Sequence, residues 1–162
     1  MKAFLFAVSL VFALAPYAFS QTKVSLEIGA VDVWLGMPKQ DVLKQFSQAS
    51  YTVLNPDASE SPIPILDAPK HAVGMVEFKG GKLSYASRSW GTCQQDCLAT
   101  ILAAFRSLAD STTGTCTLEN AAKPKPDVRL DRISVVCGEH GLTIVTGKVD
   151  SVDVADVMEF IQ

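Results

Sequence analysis

Histidine is nearly absent from this sequence: His71 and His140 are the two in 162 residues. His71 falls beside a proline-rich stretch and His140 in a predicted turn. Neither has a serine or cysteine partner in a triad context, and the G-x-S-x-G nucleophile elbow is missing. A glycine-rich phosphate cradle is missing too. Zinc would need more ligands at suitable spacing, and calcium a loop of closely set oxygen donors. There is no block of like charge. Fourteen basic and seventeen acidic residues leave a net charge of −3. That mild balance points away from nucleic acid or anionic lipid as the main partner. These shortages leave no cofactor to expect and no evident catalytic constellation.

No apolar run is long enough to span a bilayer. The longest, Ala3 to Leu14, follows Lys2 and precedes Pro16 and Ala18-Phe19-Ser20. A short positive start, an apolar stretch and small residues at the last positions predict a signal peptide over 1–20, cut before Gln21. No cysteine lies near the cut, so no lipid or membrane anchor is expected after cleavage. Residues 21–162 then form one domain in the periplasm or outside the cell, long enough for a core.

All four cysteines lie in that exported part, and an even count in an oxidising compartment predicts two disulfides. Three pairings are open. Cys116 with Cys137 is favoured, because both fall on strands expected to be neighbours. Cys93 and Cys97 are then partners by default. In an intact helix their Cα atoms would sit roughly 6 Å apart with Cβ atoms too far apart for a bond, so a distorted first turn or crossed pairs are the alternatives. A redox or metal role for Cys93-x3-Cys97 is weaker, since the thioredoxin-type motif has two intervening residues.

The chain's organising stretch runs from Val76 to Leu108. Val76, Phe78, Leu83 and Tyr85 alternate with polar residues on either side of Gly80-Gly81, which predicts a hairpin. A helix follows from about Cys93 to Leu108, with Thr92, Gln95 and Asp96 as its cap. Leu98, Ile101, Leu102, Phe105 and Leu108 recur at threes and fours and predict one buried face. Burying those five contributes roughly 8 to 15 kcal/mol before entropy is subtracted.

Before it, Lys23 to Leu35 reads as one or two strands with a bulge or bend at Gly29. A short helix spans about Pro38 to Ser47, and Tyr51 to Leu54 is a strand. Asn55 to Ala72 holds Pro56, Pro62, Pro64 and Pro69 and predicts a loop. Within it Ile63, Ile65 and Leu66 either tuck onto the core or form an exposed contact segment. After the second helix come strands at Thr115–Glu119, Val128–Cys137 and Leu142–Lys148, with a loop around Pro124 and Pro126. In the tail Val152 and Val154 alternate like a strand, while Val154, Val157, Met158 and Ile161 fit a helix; a short helix from about Val154 to Phe160 is favoured. On it Asp150, Asp153, Asp156 and Glu159 make a solvated stripe. The whole predicts an α+β domain: an antiparallel sheet with two main helices on one face, in a pattern that admits two degenerate helix-plus-three-strand repeats.

The run Leu35-Gly36-Met37-Pro38-Lys39-Gln40-Asp41-Val42-Leu43-Lys44-Gln45-Phe46, followed by the Val76–Leu83 hairpin, resembles small secreted and envelope proteins of the β-lactamase-inhibitor-protein-like fold. That resemblance implies helix-plus-antiparallel-sheet repeats. Its members include secreted enzyme inhibitors and a small lipoprotein of the outer-membrane assembly machine, and none is recognised by catalytic residues. It carries no functional residue onto this chain.

One pair of residues and a lone tryptophan remain as candidate contacts. Arg88 and Trp90 stand at the strand-to-helix junction, either as an interface pair or as a surface charge beside a core aromatic. Trp34 is either core or a half-exposed contact. With Ile63, Ile65 and Leu66 these are the candidate partner residues. The expected function is a non-catalytic exported domain that binds an unidentified protein. The competing expectations are a thiol–disulfide or other small exported enzyme acting through Cys93 and Cys97, and a carrier of a small ligand. Protein recovered from the export compartment is expected to begin at Gln21, which an intact-mass measurement checks; a mass retaining residues 1–20 would contradict the targeting reading.

Overall fold

In a computed structural model, which describes residues 23–57, 62–93, 97–120, 130–149 and 152–162, the chain opens on a hairpin of β1 (Ser25–Ile28) and β2 (Val31–Trp34). Gly29 makes the turn with φ +61. Helix α1 (Lys39–Gln48) follows, then β3 (Thr52–Val53), β4 (Ile63–Ala68), β5 (His71–Lys79) and β6 (Lys82–Cys93). Helix α2 (Cys97–Ser111) precedes β7 (Thr117–Asn120), β8 (Leu130–Cys137), β9 (His140–Val149) and β10 (Val152–Ile161). The expected signal segment, the cap residues Gln95 and Asp96, the Pro124 and Pro126 loop, and Asp150 of the acidic stripe lie outside the described residues.

Eight strands form one antiparallel sheet in the order β3-β4-β5-β6-β10-β9-β8-β7. Each helix is therefore followed by a four-strand meander, and the two meanders meet through their last strands. The α+β expectation, with its helix-plus-three-strand pattern, is corrected by this: the described chain is mostly antiparallel strand, with one large sheet, a separate two-stranded hairpin and two helices. Three segments account for the difference. The proline-rich stretch contributes β4, whose Pro64 carbonyl accepts from the Leu54 N–H at 3.1 Å. The first segment is a complete hairpin. The C-terminal segment is a strand, not a helix.

That last correction has a clear physical cause. β10 sits between β6 and β9 and bonds to both. On the face that carries the helices its buried residues are Ala155, Val157, Glu159 and Ile161, a period of two, while Phe160 is buried on the opposite face. The spacing of Val154, Val157, Met158 and Ile161 that suggested a helix is incidental, and Glu159, read as part of a solvated stripe, is 1% exposed.

The Gly80-Gly81 turn forms as expected, with both glycines at positive φ and Lys79 opposite Lys82. It also holds the start of α1. The Gly36 N–H donates to the Leu83 carbonyl and the Leu83 N–H to the Met37 carbonyl, each at 2.8 Å. The Lys39 N–H donates to the Gly81 carbonyl at 2.9 Å.

Two apolar clusters lie on one face of the sheet. The first joins Leu26, Ile28, Val31 and Val33 of the hairpin to Val42 and Phe46 of α1 and to Ile63, Ile65, Val76, Leu83, Ala86 and Ile161 of the sheet. The second joins Ala104 and Leu108 of α2 to Cys137, Leu142 and Val157. The hairpin reaches the sheet because Gly74 has no side chain: a Cβ there would collide with the Ser87 carbonyl and the Ile28 side chain. Gly74→Ala is therefore expected to destabilise the fold by about 1–3 kcal/mol through overpacking, read as a lower midpoint in urea unfolding.

Candidate functional site

β6 and β10 place Arg88 directly opposite Glu159 at the centre of the sheet. Both side chains rise on the face that carries the two clusters. Arg88 Nε donates to Glu159 Oε2 at 3.0 Å and Nη2 donates to the same oxygen at 2.7 Å. Trp90 Nε1–H donates to it at 3.2 Å. Ser107 Oγ on α2 donates to Oε1 at 3.2 Å and accepts from Arg88 Nη2 at 2.6 Å. Arg88 Nη1 reaches the Glu27 carbonyl of β1 at 3.4 Å, and its guanidinium lies 4.5 Å from the Trp90 ring centre.

Trp90 falls on the same face as Arg88 and Glu159, and β6 bulges just after it. Between the pairs Met158–Ser89 and Asp156–Thr92, β6 spends Trp90 and Gly91 against Val157 alone. Gly91, at φ +92, makes that possible. Thr92 is consequently a strand residue, not the helix cap expected from its spacing to Gln95.

Chemically the cluster is saturated. A carboxylate that already accepts from a guanidinium, an indole and a hydroxyl has its charge satisfied, and the guanidinium blocks it from the surface. The adjoining cavity of about 230 Å³ is lined by Glu27, Gly29, Val73, Arg88, Ser89 and Trp90, without Glu159. The arrangement fits a role in holding three layers together better than proton transfer.

The other predicted residues are placed as follows. Ile63 and Ile65 are buried in the first cluster, which removes both side chains from any partner, while Leu66 is half-buried. Trp34 is half-buried on the outer side of the hairpin, with Lys23 Nζ 4.4 Å from its ring centre. Cys93 pairs with Cys97 and Cys116 with Cys137, and the described residues contain no free cysteine. The first pair is not inside a helix: Cys93 ends β6 and Cys97 begins α2, with Cα atoms 5.3 Å apart. His71 is exposed and bonded to Asp67 at 2.6 Å. His140 is buried between Cys137 and Ile161, and its Nδ1 has no partner among the described residues.

The face of α2 also differs from expectation. Leu108 is buried and Ile101 partly so, but Leu98, Leu102 and Phe105 are 63%, 46% and 37% exposed. At about 100° per residue, Ser107 lies about 90° to one side of the Ile101–Ala104–Leu108 line and the exposed leucines lie about 90° to the other. Ser107 points to β6 and β10, where it bonds Arg88 and Glu159. The apolar stripe therefore points the opposite way, over β8 and β7. There Leu118 and Ile133, on the same sheet face as Val135, are 72% and 44% exposed. Helix wall and sheet floor form an apolar step.

Sequence reasoning singled out Arg88 and Trp90 as partner contacts, not as members of this internal network, and missed Glu159 and Ser107. Glu159 carried a usable signal, its alternation with Ala155, Val157 and Ile161. Ser107 carried none. No family model, curated protein or solved structure matches the chain.

Arg88→Met would strand a buried carboxylate and is expected to cost about 3–5 kcal/mol. The double variant Arg88→Met/Glu159→Leu should recover most of that loss, because the uncompensated charge is gone; thermal unfolding of the single and double variants checks this. Acid should act through His140. Burial holds its pKa below 6.5, against opposing attraction from Glu159 and Glu139. The unfolded chain binds a proton there first, so this contribution lowers stability as pH falls below 6.5 and stops changing below the folded pKa. His140→Gln should flatten that slope in unfolding midpoints measured across the range. Asp156, whose pKa burial raises above 3.8, acts with the opposite sign at lower pH.

Proposed function

We propose that this chain is an exported, non-catalytic domain that binds another protein through the apolar step beside α2. The observation that carries the reading is the exposure of Leu98, Leu102 and Phe105 on the side of α2 turned away from Ser107, with Leu118 and Ile133 exposed on the sheet face that carries α2. Soluble proteins seldom leave contiguous large apolar side chains in water without an interaction to cover them. The two disulfides are consistent with an oxidising, non-cytoplasmic location. Periplasmic or extracellular residence follows from the expected cleavage before Gln21.

The central ion pair supports a binding role over a catalytic one in this reading. Its members are spent on one another and on neighbouring layers, leaving the exposed step as the feature whose burial would release free energy. At roughly 25 cal/mol per Å² of apolar surface removed from water, such a step favours association once the ordering costs are met.

A photo-crosslinking residue at position 102 or 118 is expected to give one discrete adduct in the native compartment, and the same residue at exposed Lys44 none. Leu98→Ser/Leu102→Ser should abolish the adduct formed from position 118 while leaving the unfolding temperature within a few degrees, since both side chains are already in water. Equal adducts from positions 44, 102 and 118 would sink the proposal.

A further inference from the structure

We infer that the open groove between β2 and the last turn of α1 binds a hydroxyl-rich ligand, a short stretch of carbohydrate. This surface is separate from the apolar step and carries different chemistry. The groove holds about 440 Å³ and is lined by Ala30, Val31, Asp32, Trp34, Gln45, Gln48 and Ala49. One wall is an aromatic ring, and the polar groups facing the same space are a carboxylate and two primary amides.

That set suits vicinal hydroxyls. Each amide offers both donor and acceptor, and the Asp32 carboxylate offers two acceptor oxygens. An indole supplies a flat apolar surface for the C–H face of a sugar ring. Trp34 packs against the first core cluster yet lines the groove, and the Nζ of Lys23, an exposed side chain outside the groove lining, lies 4.4 Å from its ring centre. A flexible lysine can swing aside at little cost, whereas a packed core side chain could not. Asp32 in the groove opposes a phosphate or carboxylate ligand, and the polar lining does not suit a lipid chain.

The groove is also held in shape. The Ala30 N–H at the β1–β2 turn donates to Tyr51 Oη at 3.1 Å. A Cβ at Gly29 would strike that phenol, so the turn and Tyr51 are in direct contact. Tyr51 in turn meets Phe46 of α1 edge-on, with ring centres 5.9 Å apart. The hairpin carrying Asp32 and Trp34 and the helix carrying Gln45 and Gln48 are thus locked to each other. A pre-set site loses less entropy on binding than one that must assemble.

The test is calorimetric titration of residues 21–162, disulfides intact, with maltotriose, cellotriose and chitotriose at millimolar concentration, alongside tryptophan fluorescence. At least one trisaccharide is expected to bind with a change in emission that the Trp34→Phe variant reduces and a Trp90→Phe variant retains. Asp32→Ala and Gln48→Ala alter exposed positions, so folding is not at stake, and each should weaken binding by up to about tenfold, the share of one hydrogen bond to a charged or amide group. Absence of heat and of any emission change with all three sugars would overturn the inference. So would binding that Asp32→Ala and Gln48→Ala leave untouched.

Discussion

One carboxylate governs the middle of this molecule. Glu159 is 1% exposed, and an ion of that kind buried without partners costs several kcal/mol. Its neighbours come from two elements. Arg88 stands opposite on β6, Trp90 follows two residues on along the same strand, and Ser107 descends from α2. The same guanidinium reaches the Glu27 carbonyl on β1. Hairpin, helix and sheet therefore share one polar knot at the seam between two apolar clusters. Apolar packing alone would not fix how hairpin and helix sit on the sheet; directed hydrogen bonds of known donors and acceptors do.

The rotation of α2 follows from that knot. With Ser107 drawn to Glu159, the Ile101–Ala104–Leu108 line lies on the sheet and Leu98, Leu102 and Phe105 swing clear. A helix turned to bury those three would lift Ser107 away and leave Glu159 short of a donor. The apolar step over β8 and β7 is thus the surface consequence of satisfying a buried charge. The proposed function rests on that surface.

The other end of the molecule is built differently. There the hairpin is set by small residues and ring contacts: Gly74 lets Ile28 lie against the sheet, and Tyr51 grips the Gly29–Ala30 turn. The outer side of that hairpin presents polar groups around Trp34. Two surfaces of unlike character, one apolar and one rich in amide and carboxylate groups, occupy opposite halves of the sheet order. A secreted binding protein that engages both a protein and a glycan would have this division.

Short-range chemistry determined a good deal from the residues alone. The Gly80-Gly81 turn, the alternation of Val76 and Leu83, the start of α1 at Gly36-Met37-Pro38 and the pairing of Cys116 with Cys137 were all legible, because each depends on a few neighbours in sequence or on a count. What the tertiary structure decided was every feature whose cause lies far along the chain. The last segment is a strand because β6 and β9 are there to bond it, although Val154, Val157, Met158 and Ile161 are spaced as on a helix. Glu159 is buried because Arg88, seventy-one residues earlier, stands opposite. The stripe on α2 is exposed because the helix lays its Ile101–Ala104–Leu108 line on the sheet and turns Ser107 to the buried charge: periodicity says which residues share a face, and only the partners available in space say which face turns inward.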